Sequence, residues 1–360
     1  MTAPNEQNTK IIMKPRKLHK IRWIKIVLGV LAFMLILVGA SFGYEWYASK
    51  KAEADYPPPG KLVDVGGFRL HILKKGTGSP TILLEAASGE TSQSWRKIPD
   101  EIAKFATVVS YDRGGFGWSD KAVTARTGPN IAQELHTALK REGIQGPYII
   151  VGHSLGGMYA RLFAQEYQQE MAGLVLVDAK PVGDDLKTAP ILEQEHFQKP
   201  TPSSGISKLL KQSGAMRLFK DILLEGLVRK EDRDVFVNVI AQPKYFDAVD
   251  EEAKNIPITE ERLKNQHLGK LPVRVITRGQ IPPEVKQMGL SPDAGRKIEE
   301  IWQAGQRDLL KISEDSKLIV AKNSGHYIIH DEPGVVVDVI GQLVKELSQK
   351  PFSTSSTAHR

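Results

Sequence analysis

The 360-residue sequence contains no cysteine. That excludes a disulfide framework, a thiolate nucleophile and thiolate metal sites. The sequence also lacks an internal repeat. Its positive charge is a local property: residues 1–25 carry seven Lys/Arg against Glu6 alone, and the remaining 335 residues hold 42 basic against 41 acidic side chains. A domain so nearly neutral has no electrostatic footprint for nucleic acid. One Arg113-Gly114-Gly115 inside a folded pattern does not supply one. Hydrophobic content of 41% and charged content of 25% are those of a globular chain, long enough for one large domain with an insertion or for two ordinary domains.

The basic N-terminus runs into Ile26–Tyr44, 19 residues without a charge. At about 1.5 Å per helical residue this spans a hydrocarbon core of roughly 30 Å. Lys/Arg on the N-terminal side predict a cytoplasmic tail over 1–25, a transmembrane helix over 26–44 and everything beyond on the far side of a cell membrane. Tyr44, Trp46 and Tyr47 fit an interfacial aromatic belt. Ala52-Glu53-Ala54 resembles a processing site, but it lies about ten residues past the apolar run, so an uncleaved single-pass anchor is preferred over a signal peptide.

Residues 45–60 read as a linker, with Tyr56-Pro57-Pro58-Pro59-Gly60 as a stiff spacer. From Lys61 to about 348, β-rich runs alternate with helical stretches. The strand candidates are Lys61–Val65, Phe68–Lys74, Thr81–Glu85, Thr107–Tyr111, Tyr148–Gly152, Gly173–Asp178, Val273–Arg278 and Lys317–Ala321. The first two, joined at Gly66-Gly67, read as a hairpin. The helices between the others predict an α/β domain with a mainly parallel sheet covered on both faces. Between about 183 and 270 the β runs stop, and helical, charged sequence predicts an inserted cap. The tail 349–360 is Ser/Thr-rich and is expected to be disordered.

Gly152-His153-Ser154-Leu155-Gly156-Gly157 carries the chemistry. An apolar run leads into it and a helix-period stretch follows. A strand that turns at once into a helix puts the residue at the tip in a strained, positive-φ conformation, and only small neighbours let the backbones pass. Ser154 is then raised above the sheet, and the Leu155 N–H points from a helix N-terminus towards developing negative charge. A serine hydroxyl needs a base to remove its proton, held in one orientation. Of nine histidines, His326 alone follows a strand on a Gly-containing loop (Asn323-Ser324-Gly325) before a helix, and it is the candidate base. His153 is read as packing or orienting locally. His71, His136, His196 and His267 lie in ordinary strand or helix contexts, and His330 receives no role.

This elbow, the stretch Tyr111-Asp112-Arg113-Gly114-Gly115-Phe116-Gly117-Trp118-Ser119-Asp120, and Gly325-His326, in that order, resemble the α/β-hydrolase superfamily over about 61–348. The resemblance implies the α/β-hydrolase fold with a helical cap and a catalytic triad. It implies that residues 111–120 form a turn supporting the floor of the site, with Asp112 and Arg113 a buried pair. Where many relatives carry His-Gly-x before the first major helix, this chain reads Leu84-Glu85-Ala86-Ala87-Ser88-Gly89. Backbone donation needs no particular side chain, so the N–H groups of Ala87 and Leu155 are the expected oxyanion hole, with Ser88 the alternative. Glu85 is read as a structural carboxylate paired across the sheet, with Arg113 the candidate partner.

The third member of the triad is open. In most relatives the acid follows the strand that here reads Leu271–Gly279, yet the next residues are Gln280-Ile281-Pro282-Pro283. Glu284 is the first carboxylate after them, and Asp293 comes later. Asp178 ends the preceding strand, as in some lipases of this fold, and is the preferred candidate. The expected function is a membrane-anchored serine hydrolase acting on ester-like bonds of a small apolar substrate, with no metal and no organic cofactor. A serine at the elbow argues against epoxide hydrolase and dehalogenase chemistry. A peptidase or an acyltransferase would carry the same triad, and a catalytically idle binding or sensory protein is the reading from another class. Expected partners are the small-molecule substrate and the lipid bilayer, through residues 26–44. Oligomeric state and substrate identity are not encoded in any motif.

Overall fold

The computed structural model describes residues 16–197, 202–282, 285 and 289–349. Eight strands form one sheet: β1 (Lys61–Asp64), β2 (Arg69–Lys75), β3 (Thr81–Glu85), β4 (Thr107–Asp112), β5 (Tyr148–His153), β6 (Met171–Val177), β7 (Val273–Arg278) and β8 (Ser316–Ala321). Their order across the sheet is β1-β2-β4-β3-β5-β6-β7-β8. β1 and β2 are an antiparallel hairpin closed at Gly66 and Gly67, and β2 joins β4 antiparallel. From β4 through β3 to β8 every pairing is parallel. β3 to β7 are buried throughout, as expected of apolar runs covered on both faces. This is the α/β architecture expected from the sequence, with each strand within two residues of its expected bounds.

The two faces of the sheet carry separate cores. On one, Leu83, Ile150 and Leu174 pack with Leu162 and Phe163 of the helix Gly156–Glu166. On the other, Ile82, Val151 and Val175 pack with Trp95 and with Ile340 and Leu343 of the helix Pro333–Gln349. Parallel strands sandwiched in this way present all their C-terminal ends at one edge. Loops of different origin converge there, which is where open α/β sheets bind ligands.

Among the described residues no strand lies between β6 and β7. That segment folds into helices from Asp184–Gln194 to Ile256–Leu263, with a small core of its own around Met216, Leu224, Val237 and Phe246.

The N-terminal helix, α1, runs unbroken from Arg16 to Asp55, so the expected linker 45–60 is helical up to Asp55. Its Ala, Glu and Lys residues favour helix, and Lys50–Glu53 and Lys51–Asp55 pair along one face. Arg22–Asp55 is long and apolar enough to cross a membrane, and none of its most apolar window is buried. Residues 350–360 lie outside the described residues.

Candidate active site

Ser154 sits at φ +53°, the first of two residues between β5 and the helix Gly156–Glu166. The glycines beside it are required by contact. A Cβ on Gly152 would lie 2.6 Å from the Gly156 carbonyl oxygen, and one on Gly156 would lie 2.4 Å from the Ala86 oxygen. The strained turn is held by its neighbours: the Ser154 N–H donates to the Val177 carbonyl (3.1 Å), and the Lys180 N–H donates to the Ser154 carbonyl (2.9 Å). The hydroxyl is thereby fixed above the sheet, at the floor of a cavity.

His326 lies on the loop after β8. Its Nε2 is 2.9 Å from Ser154 Oγ and its Nδ1 is 2.6 Å from Asp178 Oδ2. Asp178 ends β6, at φ +41° and fully buried. Its Oδ1 accepts from the Arg278 N–H (3.2 Å) and from Trp302 Nε1 (3.0 Å), and its Oδ2 also accepts from Arg278 Nη1 (3.1 Å). Burial alone would raise the Asp178 carboxyl. The hydrogen bond and charge of His326, then Arg278 and Trp302, outweigh it and hold the group below the ordinary carboxylate range.

The three side chains come from elements separated by up to 172 residues, and the sheet order explains why they meet. β5, β6 and β7 are adjacent and parallel, so an acid at the end of β6 or of β7 lies beside the same imidazole. The end of β7 is taken by Arg278, whose guanidinium faces Asp178 and Glu299. The alternative acid, Glu284, lies outside the described residues. Asp293 stands at the start of the helix Pro292–Asp308, paired with Arg296 and Lys297.

Leu155 precedes the helix Gly156–Glu166, so its N–H is among those with no acceptor inside the helix. Ala87 and Ser88 line the cavity together with Ser154. The Ala87 segment is clamped from behind: Arg113 donates from Nη1 to the Ala86 carbonyl (2.7 Å) and from Nη2 to the Ala87 carbonyl (2.9 Å). The same guanidinium pairs with Glu85 (2.8 Å) and Glu252 (2.7 Å), all three buried. Burial, opposed by Arg113 and by the hydrogen bond from Tyr111, pushes the Glu85 carboxyl up to about 7. The Glu85–Arg113 contact is the one expected. Asp112 is different: it turns away from Arg113 and binds His71 Nδ1 (2.9 Å) and the N–H groups of Ser92 (2.7 Å) and Trp118 (3.1 Å). It ties the 111–120 turn to β2 instead of pairing within the turn.

Trp302 and His330 carried no signal in the sequence that placed them at the site, and His153 is read from the sequence only as packing or orienting locally. Trp302 stacks edge-on to His326 at 5.5 Å while hydrogen-bonding Asp178. His153 Nε2 contacts the His326 carbonyl (3.0 Å), and its Nδ1 faces Glu90 (3.4 Å). Burial would depress the His153 imidazole, but the Glu90 hydrogen bond and charge raise it above its ordinary value. His330 lines the cavity with Nδ1 buried and unpartnered among the described residues. Burial, chiefly, lowers its pKa to about 4, so it is neutral at pH 7. The cavity measures about 740 Å³, and its outer wall is the cap segment from Gly226 to Phe236.

The model of a known family, the alpha/beta hydrolase fold, matches residues 80–209. The uncharacterized protein YqjL of Bacillus subtilis (strain 168) is 25% identical over 277 residues, which are 77% of this chain and 88% of that protein. Among solved structures, epoxide hydrolase CorEH superposes with a TM-score of 0.57 at 20% identity, over 80% of this chain and 98% of its own. A serine hydrolase involved in carbazole degradation, the CarC enzyme, superposes with a TM-score of 0.53 at 16% identity, over 79% and 98%. At these identities the structural likeness speaks for the fold. With the elbow and the sheet order described above, the chain has the α/β-hydrolase fold.

Proposed function

We propose that this chain is a membrane-anchored serine hydrolase that cleaves ester-like bonds of a small apolar substrate through an acyl-enzyme. The observation that carries the reading is the relay Ser154 Oγ–His326 Nε2, His326 Nδ1–Asp178 Oδ2, at 2.9 and 2.6 Å. Ser154 attacks the carbonyl carbon as His326 Nε2 takes its proton. Asp178 fixes the tautomer and stabilises the imidazolium. The oxyanion is met by the Ala87 and Leu155 N–H groups, each donor typically worth about 3 kcal/mol. The tetrahedral intermediate collapses, His326 returns the proton to the departing alkoxide, and Ser154 is left acylated. Water, deprotonated by His326, then attacks the acyl carbon, and the acid leaves with Ser154 restored. These steps need no metal or organic cofactor. The hydroxyl at the elbow stands where an epoxide hydrolase needs a carboxylate.

The apolar, unpartnered surface of α1 supports a single span, and the Lys/Arg excess before it supports a cytoplasmic N-terminus with the hydrolase domain outside. A peptidase or an acyltransferase would share the relay and differ in leaving group or in the acceptor that resolves the acyl-enzyme. Pre-steady-state hydrolysis of a p-nitrophenyl ester tests the reading. A stoichiometric burst of p-nitrophenol, lost in Ser154→Ala, is expected. No turnover of any ester, amide or thioester by the wild type would favour the idle binding scaffold.

A further inference from the structure

The cap of this chain is bolted to α1, and the bolt lies at the end of the apolar span. Glu45 is buried between Lys211 and Arg217 of the cap; Arg217 Nε is 2.8 Å from Glu45 Oε2, and Lys211 Nζ contacts Oε1. Four residues earlier, the Ser41 hydroxyl donates to the Ser213 carbonyl. A charged trio excluded from water and satisfied on all sides fixes one geometry, so the position of the cap along α1 is set. Ser41 lies inside the uncharged run 26–44, about 4.5 Å from its end at 1.5 Å per residue. Tyr44, Trp46 and Tyr47 surround the same level and are exposed, as interfacial aromatics are. The cap residues that reach this level are held at the depth of the membrane boundary.

Around this bolt the cap exposes large apolar side chains. Ile206 and Leu209 share one face of the helix Ser204–Gln212, which leads on to Ser213. Leu218, Phe219, Ile222 and Leu227 follow in the next two turns and the loop after them. All six are 54–73% exposed, and large apolar side chains exposed in this number along one short segment mark an interaction surface. Leu227 also lines the cavity above Ser154, beside Arg229, Lys230, Asp232 and Arg233, so this edge touches the wall of the site through one apolar side chain.

We propose that this edge of the cap lies in the bilayer leaflet from which α1 emerges, and that Ser154 receives its substrate from the lipid phase, as an amphiphilic ester whose acyl chain passes Leu227. This rests on reading α1 as a membrane span and Ser154 as a nucleophile. Continuity of the edge with the span selects lipid over a protein partner. Transfer of several such side chains from water into hydrocarbon is favourable for each, and together they keep the cap seated.

Because the chain has no cysteine, depth can be read from single introduced thiols. Full-length Phe219→Cys, Ile222→Cys and, as a control on the exposed face of the helix Ile256–Leu263, Glu261→Cys carry a nitrobenzoxadiazole label in phosphatidylcholine–phosphatidylglycerol vesicles. Quenching by doxyl-labelled lipid at 219 and 222 but not at 261 is the expected result. Vesicle flotation with no quenching at 219 and 222 overturns the proposal while leaving the span intact; failure to float overturns the span and the proposal with it. In a second arm, Leu218→Gln/Phe219→Gln/Ile222→Gln is expected to lose tenfold or more on a vesicle-dissolved long-chain ester and to stay within twofold of wild type on a water-soluble short-chain ester. An equal loss on both overturns lipid-phase delivery. Absence of soluble-ester turnover in the wild type would instead remove the hydrolase reading.

Discussion

Asp178 and His326 meet at 2.6 Å although they follow strands that are not neighbours, β6 and β8. β7 lies between them and contributes Arg278, which binds Asp178 through both its backbone N–H and its guanidinium. The carboxylate is saturated by four donors, so its orientation towards Nδ1 has no freedom.

Asp178→Asn keeps the size of the side chain and removes the charge that selects the tautomer. On the proposed mechanism kcat falls by about 10³–10⁴, with the fold intact by circular dichroism. A loss of only a few-fold would remove Asp178 from the mechanism.

Trp302→Phe deletes one donor to the Asp178 carboxylate. The carboxyl pKa, now held down, rises towards its ordinary value. Asp178 is then expected to titrate at higher pH in the variant, read by NMR of the carboxyl carbon, with kcat reduced. An unchanged titration with reduced kcat would mean that Trp302 acts only by packing on His326.

Arg113 joins stability to the oxyanion segment. Arg113→Ala leaves Glu85 and Glu252 buried without a cation, which typically costs about 3–5 kcal/mol, read by urea unfolding. Arg113→Lys keeps the charge but cannot grip both the Ala86 and the Ala87 carbonyls. It is expected to lower kcat by about tenfold or more, with a smaller loss of stability. Wild-type kcat in the lysine variant would separate Arg113 from the oxyanion hole.

Glu90 and His153 give a pH signature. Burial raises the Glu90 carboxyl, but His153 reverses this and leaves it below its ordinary value, while His153 is raised. The pair therefore stabilises the fold between the unfolded values of about 4.3 and about 6.5. The contribution fades as pH falls through the folded pKa of Glu90, and again as pH rises through that of His153. The Tm gap between wild type and Glu90→Gln should be widest near pH 5–6.5 and narrow by pH 9. A gap that widens towards pH 9 would contradict the assignment.

Strands were legible in this sequence because apolar runs such as Ile149-Ile150-Val151 have one stable use in an α/β chain. Ser154 and His326 were legible because strain and loop context mark them locally. The acid was legible only as a preference for Asp178 over Glu284, because Asp178 and any residue after Arg278 follow adjacent strands and reach the same imidazole. Trp302 lies 124 positions from the carboxylate it binds, and a tryptophan in a charged helix has no periodic signature. The extension of α1 to Asp55 was missed because Glu45 looked like the end of a span. Its partners, Lys211 and Arg217, are more than 160 residues away.

The central claim, that Ser154 is a nucleophile activated by His326, is tested most directly by mass spectrometry of the peptide carrying Ser154 after exposure to a fluorophosphonate. The account predicts one phosphonyl adduct per chain on Ser154 in the wild type, none in Ser154→Ala, and a much slower reaction in His326→Ala. An unmodified Ser154 in the wild type, or equal labelling of Ser154→Ala, would contradict it.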